Sequence, residues 1–363
     1  MERFDVDPDI ARAHTLPGWF YADPGVYERA RQRVFARSWQ LIGDDGLART
    51  PQHVHPFTFL EGCVDEPLLL TRDGSDVLRC LSNVCTHRGT ILVPEPCRAA
   101  HLRCPYHGRR FALDGRFEHM PEFEGTRDFP GERDHLSRLP LETFGRWLFT
   151  SIDPAFGFDD LIGPMRRRVG RLPLSEFLFD PTRSRDYLVR CNWALYVENY
   201  LEGFHIPFVH ASLNAALDYG EYTTELHGRS ILQLGLSKGG EHVFDPPPDS
   251  PDAGRPVAAY YWWLWPNLMF NFYPWGLSVN IVKPLGVDRT RVSFLTWVWD
   301  ASKLDQGAGA GLDRVEREDE AIVESVQRGV RSRLYHRGRY SPTREQGVHH
   351  FHRMLVETCG DDV

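Results

Sequence analysis

Residues 85–108 read CTHRGTILVPEPCRAAHLRCPYHG. Cys85 and His87 stand one residue apart and Cys104 and His107 two apart, sixteen residues separate the pairs, and a glycine closes each group. Tetrahedral zinc accepts two thiolates and two imidazoles, but its usual spacing places both cysteines in one knuckle and both histidines in another. Here each knuckle carries one of each.

If the knuckles are neighbouring loops, both thiolates can hold one metal and both imidazoles a second, which is the ligand division of a Rieske [2Fe–2S] centre. A structural zinc site, and buried cysteines beside unrelated histidines, are the blander readings. The chain has seven cysteines in 363 residues, too sparse for a disulfide framework. Cys63, Cys80, Cys97, Cys191 and Cys359 are therefore expected to be free thiols, with Cys97 lying between the knuckles.

Length allows two or three domains. A hydrophobic fraction of 42% with 25% charged residues is ordinary for a globular chain, and a formal net charge of -8 without a long basic run gives no reason to expect nucleic-acid binding. The start MERFDVDPDI has no charged-then-apolar leader, and no run of apolar residues is long enough to span a bilayer. A cytoplasmic location without membrane association is the expectation.

Along the chain, DPGVYERARQRVFARSWQLIG spaces Tyr27, Ala30, Val34 and Phe35 on one helical face. Residues 1–38 are expected to form a helical segment packing on the catalytic domain. Short runs such as PLLLTR, DVLRCLSNV and RWLFTSI, punctuated by Gly, Asp and Pro, predict a small all-β domain over 39–152 that carries the cluster loops. IDPAFGFDDLIGP reads as a linker. Residues 153–363 read as α+β: a helix around 193 to 205, strands in RSILQLGLSK, VAAYYWWLWPNLMFNFYPW, LSVNIVKPL and RVSFLTWVW, then a helical end, giving an antiparallel sheet with helices against it. DPPPDSPDAGRP at 245–256 and QGAGAG at 306–311 read as loops and nothing more.

A second metal site is suggested by WALYVENYLEGFHIPFVH, residues 193–210. Glu202 and His205 are three apart and share a face if helical, and Pro207 should loosen the turn so that His210 returns toward the same point. Two histidines with one carboxylate form the facial triad of non-haem Fe(II) oxygenases. The remaining carboxylate should lie in DRVEREDEAIVESVQRG, residues 313–329, where Val315, Ile322, Val323 and Val326 predict a buried side. Spacing alone does not choose among Glu316, Glu318, Asp319 and Glu320.

With CTHRG, CPYHG, NYLEGFHIPFVH and the acidic helix leading to a glutamine in this order, the chain resembles the catalytic subunits of Rieske non-haem iron oxygenases. The resemblance covers nearly the whole chain. It implies Cys85, His87, Cys104 and His107 as [2Fe–2S] ligands, His205 and His210 as iron ligands, and Asp319, upstream of Gln327, as the third. It also implies a helix-grip catalytic domain, a head-to-tail homotrimer, and a separate reductase or ferredoxin that passes electrons from NAD(P)H to the cluster. The residue three before the first iron histidine is usually aspartate in this family; Glu202 here resembles the subgroup acting on carnitine. The ending VQRGVRSRLYHRGRYSPTREQGVHHFHRML resembles oxygenases of choline, glycine betaine and related betaines.

The expected reaction is O2-dependent hydroxylation or oxidative demethylation of a small organic substrate, with a quaternary ammonium compound as the leading class. Hydroxylation of an aromatic or natural-product ring, or oxygenation of an arylamine, is the alternative. A Rieske electron-transfer protein with a scaffold domain and a zinc-stabilised binding module are the non-enzyme readings. YYWWLWPNLMFNFYPW, residues 260–275, could supply an aromatic cage for an ammonium group, worth roughly 0.5 to 2 kcal/mol per good contact, although aromatic residues in a strand mostly fill core. Glu202 is expected to accept the second ring N–H of His205 and fix its orientation. In a trimer it could also accept from His87 or His107 of a neighbour.

Overall fold

The run PLLLTR becomes the strand Glu66–Arg72, with Leu68, Leu69 and Leu70 all buried, and DVLRCLSNV becomes Leu78–Ser82. They form the middle of a five-stranded antiparallel sheet flanked by His53–Phe59, Cys97–Arg98 and Arg138–Leu139. Three-stranded sheets are made by His101–Arg103, Arg110–Ala112 and Phe117–His119, and by Gln40–Asp44, Leu141–Phe144 and Trp147–Thr150. Leu69, Leu81, Leu102 and Phe111 share one core with Cys85 and Cys104, so the thiols are rooted in apolar packing. These strands belong to a compact unit of residues 36–155, and a second unit comprises residues 1–35 and 156–363. The computed structural model describes residues 4–239 and 242–360. The outer ends of the segments expected at 1–38 and 153–363 lie outside the described residues.

In the second unit, helix α1 (Pro24–Arg29) is capped by Asp23, whose carboxylate accepts the Val26 N–H, and continues as a π-helical stretch over Ala30–Phe35. The wider turn brings Val26, Ala30, Val34 and Phe35 to the buried side, while Tyr27 is only half-buried. Helix α2 (Phe158–Val169) takes up most of the expected linker. Its apolar Phe158, Leu161, Ile162, Met165 and Val169 recur at helical spacing and are buried, and the Asp160 carboxylate accepts the Gly157 N–H.

The stretch expected to be one helix over 193 to 205 is divided. Helix α3 (Trp193–Tyr200) ends before Glu202, and α4 (Ile206–Val209) and α5 (Ala211–Ala216) follow as short turns. Pro207 lies in the first turn of α4, where a missing N–H costs nothing, so the proline starts a helix rather than loosening one. Eight antiparallel strands form the sheet behind them, including Ser230–Leu236, Val257–Leu264, Leu268–Tyr273, Gly276–Gly286 and Arg289–Val298 in successive hairpins. The aromatic run at 257–275 is thus two strands around a turn at Trp265–Asn267, each buried along its full length.

Helix α6 (Leu312–Gly329) lies along α3, and α7 (Gln346–Cys359) also contacts α3. The buried side of α6 differs from the apolar stripe expected. Glu316, Val323 and Gln327 are buried, whereas Ile322 and Val326 are exposed and Val315 is half-buried. Polar partners on neighbouring segments account for the reversal: Tyr196 meets Glu316, and the Gln327 side chain accepts the Asn192 N–H at 2.6 Å.

Two segments read as plain loops have structural work. Asp252, in 245–256, is fully buried and ion-paired with Arg168 at 2.6 Å. In 306–311, Ala308 and Gly309 are buried; a Cβ on Gly309 would come within 2.2 Å of the Trp275 indole nitrogen, so only glycine fits.

Candidate metal centres and the cavity beside the second

The two knuckles are the same turn built twice. Gly89 N–H donates to the Cys85 carbonyl at 2.9 Å and Gly108 N–H to the Cys104 carbonyl at 3.1 Å. Each glycine adopts positive φ, +70° and +73°, which a side chain would strain. The Cys85 and Cys104 N–H groups then donate to Thr90 and Arg109 carbonyls, both at 2.8 Å. The cysteines are buried and the histidines point outward, His87 half-buried and His107 exposed, with ring centroids 4.9 Å apart.

Burial pushes the Cys85 thiol up; it acts on Cys104 too, but the N–H groups of Tyr106 and His107 and the Cys85 thiol outweigh it and hold Cys104 below the ordinary thiol range. Burial, followed by the charges of His107 and Arg88, lowers His87 and favours the neutral imidazole that a metal requires. Two thiols on one side and two imidazoles on the other fit a two-metal cluster divided by ligand type. Arg109, 2% exposed, supports the second knuckle from below: it pairs with Asp134 at 2.5 Å and lies over Phe111, Phe117 and Phe129. Cys97 is exposed on its strand and every other cysteine is buried; none of the seven forms a disulfide.

In the second unit, ligand atoms of His205, His210 and Asp319 lie within 4.8 Å of one another. Asp319 Oδ1 is 3.0 Å from His210 Nε2 and 3.7 Å from His205 Nε2. Both histidines are held from behind at Nδ1, His205 by Glu202 at 2.6 Å and His210 by Glu318 at 2.8 Å. An Nδ1–H committed to a carboxylate leaves the Nε2 lone pair facing the common point, the outer-sphere arrangement that orients metal-binding histidines. Two imidazoles and one carboxylate fit a non-haem Fe(II) ion with open positions.

Glu202 and His205 meet without sharing a helix. Glu202 Oε2 accepts the backbone N–H of Phe204 and of His205, so the carboxylate closes the turn that aims the ring. Burial lowers His210, but Asp319 and Glu318 outweigh it and hold the imidazolium above its ordinary range. The His210 contact, followed by that of Arg314, keeps Glu318 low after burial is overcome. Of the four acids left open by spacing, Asp319 alone presents an oxygen to both histidine Nε2 atoms. Glu318 serves His210 from behind, Glu316 meets the Tyr196 hydroxyl, and Glu320 is half-buried elsewhere on α6.

Sequence reading overlooked Asn199. Its Nδ2 donates to Asp319 Oδ1 at 2.7 Å and fixes the carboxylate. An amide beside Glu198 near the end of α3, six residues before His205, was the available signal.

A cavity of about 110 Å³ opens beside these groups. Tyr196, Tyr200, Tyr222, Tyr261, Tyr273 and Phe294 contribute rings to its wall, and Gln233, Asn271, Ser278 and Asn280 contribute polar groups from the sheet. The tryptophans at 262 and 263 are buried outside it, as core.

A Rieske [2Fe–2S] domain model matches residues 54–130, and the model described as ring hydroxylating alpha subunit (catalytic domain) matches residues 178–361. The chain belongs to the ring-hydroxylating alpha-subunit family. As a Rieske non-haem iron oxygenase, it is an oxidoreductase of a family that carries a [2Fe–2S] cluster and a catalytic iron and draws electrons from a reductase. It is 31% identical to a chloroplastic choline monooxygenase of Arabidopsis thaliana, over 98% of this chain and 85% of that protein. It is 29% identical to the carnitine monooxygenase oxygenase subunit of Escherichia coli K12, over 99% and 97%. A quaternary ammonium Rieske monooxygenase solved with L-carnitine superposes with a TM-score of 0.76 at 23% identity, covering 99% of each chain, which establishes the shared fold. Among the described residues no helix is long and apolar enough to cross a membrane.

Proposed function

We propose that this oxygenase hydroxylates or oxidatively demethylates a small quaternary ammonium compound. The observation that carries this reading is the cavity wall: six aromatic rings and three carboxylates, Glu202, Glu316 and Asp319, border one small space beside His205 and His210. Ring faces attract a methylated ammonium by roughly 0.5 to 2 kcal/mol per good contact, and carboxylates add attraction for the same charge. The curated relatives named choline and carnitine monooxygenase support the same class.

Cys85, His87, Cys104 and His107 would hold the cluster, and His205, His210 and Asp319 the iron. When bound, these groups supply electron delivery and dioxygen activation. The chain's own residues do the rest. Glu202 and Glu318 keep both Nδ1 protons, Asn199 holds Asp319, and the tyrosine wall shields the cavity from water and orients a substrate C–H bond. A carbon hydroxylated while attached to nitrogen leaves as formaldehyde, the C–N electron pair returning to nitrogen.

We further assign Glu202 a part in coupling subunits of a cytoplasmic homotrimer, served by a reductase or ferredoxin that takes its electrons from NAD(P)H. Its carboxylate would accept a hydrogen bond from a cluster histidine of the neighbour. Glu202→Gln should retain both metals and reduce normally at the cluster, yet reoxidise slowly on mixing with dioxygen and substrate. Reoxidation as fast as in the parent rules that part out. For the function itself, oxygen uptake with a surrogate reductase should depend on a methylated ammonium compound; uptake confined to uncharged aromatic compounds overturns the reading.

A further inference from the structure

Two cavities lie on either side of one short stretch of chain. The cavity beside His205 and His210 has Ala308 and Leu312 in its wall, with Tyr273 and Phe294 from the sheet. A larger one, about 430 Å³, is lined by residues that include Arg183, Trp275, Thr296, Asp305, Gly309 and Leu312. Leu312 borders both. Tyr273 stacks on Trp275 at 5.2 Å, and Phe294 and Thr296 stand two apart on the strand Arg289–Val298, so the outer chamber continues the wall of the inner one. Between them runs the segment 304–312, which contains the QGAGAG stretch.

That segment has the parts of a hinged strap. Asp305, Gly307 and Gly311 hold φ of +58°, +61° and +65°, and glycine leaves that conformation at little cost. Between the glycines, the Ala310 N–H donates to the Gly307 carbonyl at 3.1 Å and closes a turn. The turn rests on the Tyr273–Trp275 pair, where Gly309 has no room for a Cβ and Ala308 adds a single methyl to the core. Leu304 and Leu312, at its two ends, are half-buried. Asp305 fastens it to the neighbouring turn: Arg183 Nη1 and Nη2 donate to Asp305 Oδ1 and Oδ2, each at 3.0 Å, with the two side chains 39% and 67% exposed. Arg183 itself is tied to the sheet, its carbonyl accepting the Thr296 hydroxyl at 3.2 Å. A water-exposed pair of this kind is weak, so it fastens the strap without locking it.

We propose that substrate reaches the cavity beside His205 and His210 from the outer chamber, past a strap formed by residues 304–312, with Arg183 and Asp305 as its latch and Leu312 as the side chain that admits or blocks passage. This rests on the reading that a small substrate occupies that cavity, and adds its route. Most of the remaining wall is carried by paired strands and by α3 and α6, where opening breaks ladder or helix hydrogen bonds. Swinging the strap breaks the exposed ion pair and lifts one methyl and part of Leu312 from the core. The control is steric and independent of the charge that a bound iron brings.

The test is alkylation of a thiol placed inside. Ser278, in the inner wall and 1% exposed, becomes the reporter through Ser278→Cys in the holoenzyme; its reaction with iodoacetamide is followed by peptide mass spectrometry relative to exposed Cys97 of the same chain. Asp305→Asn and Arg183→Gln should each raise the ratio by about three- to fivefold, the range an exposed ion pair sets, and together no further. Leu312→Trp should lower it by about tenfold, as a larger ring in a filled passage does. A ratio that Asp305→Asn and Arg183→Gln leave unchanged overturns the proposal, because entry elsewhere is indifferent to the latch. Should Ser278→Cys not fold, hydrogen exchange of the 306–312 amides decides: both latch variants should hasten it by the same factor, and unchanged protection overturns the strap. Iodoacetamide carries no ammonium group, so failure here leaves the ammonium reading standing, whereas oxygen uptake confined to uncharged aromatic compounds overturns that reading and not the strap.

Discussion

The cluster knuckles and the histidine–carboxylate site, the two proposed metal centres, are built in opposite ways. All four knuckle residues lie within 85–107, on two copies of one glycine-closed turn whose geometry comes from backbone bonds. His205 and Asp319 are far apart in sequence, and His205, His210 and Asp319 are each oriented by another side chain. A site built from local backbone can be recognised as a string of letters. A site built from side-chain partners requires the partners to be brought together first.

Removing one donor from each region should separate them most sharply. Cys104→Ser is expected to abolish the visible absorption of the cluster and all turnover while iron remains at the second site. Asp319→Ala is expected to abolish turnover with cluster absorption and reducibility unchanged. Metal analysis with visible spectroscopy reads both; activity surviving in Asp319→Ala but lost in Glu318→Ala or Glu320→Ala moves the ligand assignment on α6.

Supports should behave differently from donors. Asp134→Ala strands the Arg109 guanidinium beneath the second knuckle and should cost about 3 kcal/mol in a denaturant titration, with loss of cluster at lower denaturant. Burial works against the Asp134 carboxylate, but the Gly131 N–H and Arg109 outweigh it and hold it below its ordinary range. Its contribution is therefore present above pH of about 4 and lost as pH falls through the lowered folded value. Acid bleaching of the cluster that Asp134→Asn leaves unmoved would remove Asp134 as its cause.

Glu318→Gln should weaken iron binding by about 10- to 100-fold, as loss of an outer hydrogen bond to a ligating histidine does, while leaving the cluster untouched. Iron retention during dialysis against a chelator measures it, and an unchanged affinity would make Glu318 a mere surface partner of Arg314. Smallest of all, Ile322→Ser should change stability by no more than about 0.5 kcal/mol because the side chain is exposed, against about 2 kcal/mol for Val323→Ala at a buried position. Equal costs would mean that α6 buries the apolar side its sequence suggests.

Legibility follows the same division. The knuckles, the β-rich first unit and the antiparallel sheet of the second were readable because alternation, glycine placement and Cys/His spacing are local signals. The α6 helix was readable as a helix but not in its buried side: hydropathy favours Ile322 and Val326, whereas Tyr196, Asn192 and Asn199 attract Glu316, Gln327 and Asp319 inward. The apparent linker became α2 because its apolar spacing outweighed Gly and Pro. Asp252, in a proline-rich loop, gave no hint of burial, since its reason is Arg168, 84 residues away in the chain.

What the sequence by itself determined is the order of the two candidate metal motifs, the α+β class and the family, because each is written in short-range spacing or in resemblance across nearly the full chain. Only the tertiary structure decided which acid on α6 joins His205 and His210, and that Glu318 and Asn199 stand behind them. The physical reason is that a side chain's role depends on which partner satisfies its charge and hydrogen bonds, and those partners are chosen by packing between segments more than a hundred residues apart.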